Sequence, residues 1–135
     1  MSQEEKIVEP LAKFHAETDT QGRFYLPKAT CKRYNIHIND YVELLVRFFD
    51  ESNSITFRAH VFVRVASNRL IHLPKALREQ ANGDRRLIEV LLIAHYTPND
   101  LLSPIGKTVL SLFKSKYRVL SLEEEKQILQ RSLTR

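Results

Sequence analysis

The stretch that decides the fold is QGRFYLPKA (residues 21–29), because the chain says nearly the same thing again as NRLIHLPKA (68–76). Leu26-Pro27-Lys28-Ala29 falls on Leu73-Pro74-Lys75-Ala76 at an offset of 47, and Lys13–Asp19 aligns with His60–Ala66 at the same offset. Beyond the following helix the offset becomes 46, which sets Glu43 on Glu89 and Leu45 on Leu91. A one-residue deletion in a connecting loop is a routine change. The pattern predicts an internal duplication.

Each copy has the same order of signals. LAKFHAETD from Leu11 alternates in character and predicts a strand. TQG is turn chemistry, and RFYLP is a short strand. Pro27 fits the first turn of a helix, where a missing N–H costs nothing, and that helix is predicted over 28–34. YVELLVRFF from Tyr41 is a strand, DESNS a polar turn, and ITFRAHVFVRVA from Ile55 a long β-branched and aromatic strand. The second copy repeats this with RLIHLP, a helix KALREQA opened by Pro74 and stopped at Asn82-Gly83, and the strand RLIEVLLIAHY from Arg86. A unit of strand, turn, strand, helix, strand is too small to bury its own faces. Two such units can wrap into one closed β-barrel, which removes the exposed edges. The expected organisation is a flexible N-terminus over 1–10, a first repeat over 11–59, a second over 60–97 and a helical extension over 98–135.

In that extension Ile105, Val109, Leu112 and Phe113 keep helical spacing. Ser121 three residues before Glu124 is a capping-box signature, and Leu122, Leu129 and Leu133 form a stripe with Ile128 beside it. Two helices are predicted, over 104–117 and 122–133. They either pack on the barrel or on each other, or they join subunits or hold a partner.

Composition narrows the function classes. With 135 residues, 43% hydrophobic and 27% charged, the chain is an ordinary globular protein long enough to bury a core. Cys31 stands alone, so no internal disulfide forms and a reducing, cytoplasmic setting is expected. MSQEEKIVEP has no apolar stretch of signal-peptide character, and no apolar run reaches membrane-spanning length. The net charge is +5, but unevenly placed. Residues 1–102 hold 14 Lys and Arg against 13 Asp and Glu, whereas 103–135 hold 7 against 3. Bulk charge therefore does not argue for a nucleic-acid-binding core, and the case rests on particular cations. His15, His37, His60, His72 and His95 lie singly, and there is neither a glycine-rich phosphate loop nor a G-x-S-x-G. The expectation is a non-enzyme without metal or cofactor.

At DTQGRFYLPKA the chain resembles the AbrB/SpoVT/MraZ group of swapped-hairpin DNA-binding proteins. That group has a motif of the type D-x-x-G-R-[apolar]-x-[apolar]-P before a short helix, here Asp19, Gly22, Arg23, Phe24, Leu26 and Pro27. Asn39-Asp40 stands where Gly-Asp is usual. The second copy departs further, with Ala66, Arg69 and Leu70 in place of Asp19, Gly22 and Arg23. The resemblance covers about residues 11–96. It implies a cradle-loop, swapped-hairpin barrel, mainly β with short helices, closed within one chain as in MraZ-like members. It also implies double-stranded DNA as partner, a transcription regulator or antitoxin as function, and basic loop and helix residues as the contacts.

The motif itself suits that chemistry. Gly22 permits a tight turn with positive φ. Asp19, four residues before Arg23, caps the turn or pairs with the guanidinium, which is then suited to phosphates and guanine edges. Lys28 and Lys32 share a helix face with Arg33 beside them. The second copy offers Arg69, Lys75, Arg78, Arg85 and Arg86. These nine cations are the candidate DNA contacts, with Asp19, Gly22, Pro27 and Pro74 as structural residues of the motif. The bland alternative is a turn-stabilising pair and a solvated helix face. The competing function is a protein-interaction or oligomerisation module, including an antitoxin whose C-terminal helices hold a partner. A homo-oligomer is expected in either case, and a DNA binder would be nucleoid-associated.

Overall fold

The computed structural model describes residues 10–81, 86–104, 106–108 and 116–133. The expected flexible N-terminus lies outside them but for Pro10, as do the Asn82-Gly83 stop and all four apolar positions, Ile105, Val109, Leu112 and Phe113, predicted for the first C-terminal helix.

The chain is mainly β with short helices. Its strands are β1 (Ala12–Glu17), β2 (Arg23–Tyr25), β3 (Tyr41–Phe49), β4 (Ile55–Arg64), β5 (Leu70–His72), β6 (Leu87–Tyr96) and β7 (Tyr117–Leu120). Helices α1 (Lys28–Tyr34) and α2 (Lys75–Gln80) follow β2 and β5, and α3 (Leu122–Leu133) closes the described chain. β1, β6, β3, β4 and β7, in that order, make a five-stranded antiparallel sheet, and β2 pairs with β5 in a separate ribbon.

The two segments aligned in the sequence pair symmetrically. Phe24 pairs with Ile71, its own counterpart at offset 47, and Leu45 pairs with Leu91, its counterpart at offset 46. A pseudo-two-fold axis therefore passes through both pairs. The hydrogen bonds around it come in related couples. Leu26 N–H donates to Arg69 O at 2.9 Å, and Leu73 N–H donates to Gly22 O at 3.0 Å. Thr18 N–H donates to Arg86 O at 2.9 Å, and Val65 N–H donates to Asp40 O at 2.8 Å.

The expectation of a closed barrel is not met. Pro27 and Pro74 end the short strands at three residues, so β2 and β5 pair across the axis with each other and lie over the main sheet without joining its ladder. Both prolines adopt extended backbone at φ −60° and −56°, and each opens its helix as predicted. The core fills the space between the two layers. Val42, Leu44, Val46, Phe48, Val61, Ile88, Val90 and Leu92 point from the sheet, and Phe24, Leu26, Ile71, Leu73, Cys31 and Leu77 close over them. Burial pushes the Cys31 thiol up, although the nearby Arg69 charge opposes this, so Cys31 is a packing residue.

The C-terminal segment departs most from its prediction. Residues 104 and 106–108 are helical as expected, but Tyr117 begins β7, which pairs with β4 from Val61↔Tyr117 to Arg58↔Leu120. Tyr117, Val119 and Leu120 suit a strand, and the open edge of β4 supplies a partner that helical spacing does not reveal. The capping box holds: Ser121 N–H donates to Glu124 Oε1 at 2.9 Å, and Glu124 N–H to Ser121 Oγ at 3.1 Å. The stripe that faces inward is different, however. Ile128 is buried, Leu129 is half-buried and Glu125 is 3% exposed, whereas Leu122 is exposed. Ile128 and Leu129 pack with Leu45, Leu91, Ile93 and Leu120, so α3 covers the outer face of the sheet.

Candidate nucleic-acid interface

The DTQGR turn is a closed hydrogen-bonded unit. Asp19 Oδ1 accepts from the backbone N–H groups of Gln21 and Arg23, both at 2.9 Å, and Oδ2 accepts from Arg23 Nε at 2.7 Å. The side chains of Arg23 and Asp19 are 36% and 41% exposed, so this ion pair is worth little as a bare charge contact. Its role is orientation, since one guanidinium nitrogen is fixed while the terminal nitrogens have no partner among the described residues. The Arg23 backbone N–H, with the Arg23 side chain and the Gln21 N–H, holds the Asp19 carboxyl at about 2 against an ordinary 3.8. A folded value below the unfolded one contributes stability that is present above about pH 4 and is lost as pH falls toward 2. Asp19→Asn is expected to remove that part of the acid dependence, which unfolding midpoints measured from about pH 5 to about pH 2 would show; an unchanged profile would count against this local role.

Gly22 has φ +71°. In the second copy Arg69 takes the same place at φ +63°, so left-handed backbone alone does not require glycine here. Close approach does. A Cβ on Gly22 would fall 1.7 Å from Arg78 Cδ, because the stem of Arg78 lies across this turn. Gly22→Ala is expected to destabilise the fold by about 1–2 kcal/mol through left-handed strain and displacement of Arg78, read as a fall in the thermal midpoint. Loss of Arg78 beyond its Cβ, in Arg78→Ala, would relieve the second part.

The nine candidate cations divide into two groups. Lys28, Lys32, Arg33 and Lys75 are exposed on α1 and α2, without an ion pair among the described residues. Arg33 lies 5.6 Å from the ring of Tyr34. Lys28 and Lys75 are counterparts across the pseudo-two-fold, each directly after its proline. Lys32 has Glu79 as counterpart, so the second helix lacks the lysine pair of the first. Arg23 joins this group through its free terminal nitrogens.

The other arginines have work inside the fold. Arg86 donates from Nε and Nη2 to Phe49 O at 3.2 and 2.6 Å, and from Nη1 to Ala81 O at 2.7 Å. It ties the end of β3 to the end of α2, and its donors are not presented for phosphate. Arg69 donates from Nε to Leu26 O at 3.2 Å, bracing the crossing of the ribbon. Arg78 is half-buried over Gly22, with its Nε unpartnered among the described residues. Arg85 lies outside the described residues.

Sequence reading missed the polar clusters on the sheet. Arg47 donates to both oxygens of Glu125 at 2.9 and 3.0 Å and to Glu89 at 2.8 Å, and Arg58 Nε lies 3.3 Å from Glu125. Burial raises the Glu89 carboxyl, but the Arg47 hydrogen bond and charge, with Lys13 and His15, outweigh it, and the net direction is down. Glu43 meets His60 at 2.7 Å and Tyr96 at 3.1 Å, while Asp40 meets His95 at 2.8 Å. Two histidines read as single thus sit against carboxylates. The signal was a charge set inside each apolar strand, YVELLVRFF and RLIEVLLIAHY. Among the described residues no three His, Cys, Asp or Glu gather as metal ligands, and no helix is long and apolar enough to cross a membrane.

No family profile matches the sequence, and no curated protein matches it. Among solved structures, the solution structure of PHS018 from Pyrococcus horikoshii is similar, with 34% sequence identity and a TM-score of 0.59. This chain belongs to the same family as PHS018. The likeness covers 67% of this chain and 97% of the PHS018 chain, so nearly all of PHS018 has an equivalent here. What this chain can bind is therefore read from its own cations.

Proposed function

We propose that this protein binds double-stranded DNA and acts as a transcription regulator, with Arg23, Lys28, Lys32, Arg33 and Lys75 as its contacts. The observation that carries the reading is the group of exposed cations on α1 and α2, beside the β2–β5 ribbon, without carboxylate partners among the described residues. Lysines in this setting neutralise phosphates, and a pre-oriented Arg23 adds a flat donor for a phosphate or a guanine edge. The strand–turn–strand–helix–strand order, found twice and paired across an axis, supports a swapped-hairpin relationship to the AbrB/SpoVT/MraZ group. A chain of this kind would work with the nucleoid in the cytoplasm.

The footprint is asymmetric within one chain, because Lys32 has Glu79 opposite it and Arg23 has Leu70. A symmetric operator would then take two chains. The alternative, a partner-binding module built on the C-terminal helices, has less to draw on, since α3 uses Ile128 and Glu125 against its own sheet. Retardation of mixed genomic DNA at rising salt tests the proposal. Binding that weakens linearly in log–log form is expected, and no retardation at low salt would sink it.

A further inference from the structure

We propose that the cleft between the end of β4 and the β5–α2 corner binds a phosphorylated nucleoside. The cleft has a volume of about 960 Å³, and Arg64, Lys75 and Lys116 line it with no carboxylate among its described lining residues. None of the three cations has an ion pair among the described residues. The wall beside them is aromatic: Tyr41 and Phe62 stack at 5.3 Å with 14° between their planes. Asn39 also lines the cleft. Its φ is +75° and its backbone N–H is held by Val65 O at 2.8 Å, while its side-chain amide has no partner among the described residues.

These features describe the ligand. Three cations call for an anion, and a planar guanidinium matches a phosphate monoester. A bare phosphate would leave most of a cleft this size empty, since such volumes suit whole organic ligands. An aromatic wall takes a flat ring, and an unengaged amide takes that ring's polar edge. A base joined to a phosphate meets all three conditions.

The molecule supplies its own comparison. Across the pseudo-two-fold, Arg64 corresponds to Glu17, Tyr41 to Leu87 and Phe62 to His15, while Lys75 corresponds to Lys28. One half keeps only the helix lysine, with an opposing charge and no aromatic wall. The two halves share a backbone frame but not this chemistry, so the frame does not by itself dictate these side chains. The inference does not rest on the DNA reading: it shares Lys75 with that interface, but Arg64, Tyr41 and Asn39 play no part there.

The phosphate could come from a free nucleotide or from the end of a nucleic-acid strand, which carry the same chemistry. Calorimetric titration of the full chain with AMP, adenosine, inorganic phosphate and a 5′-phosphorylated tetranucleotide separates them. AMP is expected to bind with a sub-millimolar Kd, at least about tenfold tighter than adenosine or inorganic phosphate. Arg64→Glu is expected to weaken AMP at least about tenfold, and Tyr41→Leu several-fold, whereas Glu17→Gln leaves it unchanged. Arg64 is exposed, so its replacement does not endanger folding. If the tetranucleotide binds, AMP does not, and Arg64→Glu abolishes the binding, the site stands and takes a strand end. Absence of saturable binding by both overturns the proposal. So does phosphate binding as tightly as AMP, or full AMP affinity in Arg64→Glu.

Discussion

Arg47→Met is expected to destabilise the protein by about 3–5 kcal/mol, the cost of breaking a buried ion pair from one side. Arg47 is 17% exposed, and its partners Glu89 and Glu125 are 10% and 4% exposed at their side chains. Removing the guanidinium leaves both carboxylates short of their main donor in a place water scarcely reaches. Lys13 at 3.7 Å and His15 at 3.4 Å offer Glu89 some relief, and Arg58 at 3.3 Å offers Glu125 some. Those contacts set the lower end of the range. The Arg47→Met, Glu125→Leu double variant is expected to recover most of the loss, because a well-packed apolar pair can replace a buried salt bridge at little cost. Urea unfolding of the three proteins reads this directly, with the midpoint falling in the single variant and returning in the double. A single-variant loss below about 1 kcal/mol would mean that the cluster behaves as a surface pair.

The second large effect concerns binding. Lys28→Glu with Lys32→Glu is expected to weaken binding to mixed DNA by about 10- to 100-fold near physiological salt. It is also expected to reduce the slope of log affinity against log salt by about 2, one unit for each lost phosphate contact. Both side chains are exposed and unpaired among the described residues, so the thermal midpoint should hold while affinity falls. Retardation curves for the variant and the parent that superimpose at every salt concentration would remove α1 from the interface.

Much of the fold was legible because its signals are local. Prolines at 27 and 74, β-branched runs and a capping box placed the strands and helices through residue 96 and the start of α3. The doubled LPKA corner revealed the two halves. What lay hidden depends on distance along the chain. β7 forms because β4 has an open edge, and a segment with helical spacing from Ile105 gives no sign of it. The barrel failed to close for a related reason: two three-residue strands across an axis satisfy each other. Arg47 and Glu125 stand 78 residues apart, so neither announces the other, and the helix stripe was read from leucines when a buried glutamate sets the inward face. The cations divided on the same principle. Sequence places Arg86 and Lys28 in similar basic stretches, but only packing shows that Arg86 is tied to the carbonyls of Phe49 and Ala81.

The axis through the Phe24–Ile71 and Leu45–Leu91 pairs has a genetic consequence. In a homodimer a codon change appears in both subunits at once, so every gain on one side is imposed on the other. Here the two sides are written separately. A glutamate can stand at position 17 while an arginine stands at 64, and a lysine at 32 while a glutamate stands at 79. Joining the halves in one reading frame frees each to drift toward its own ligand, while the shared backbone that both depend on stays fixed.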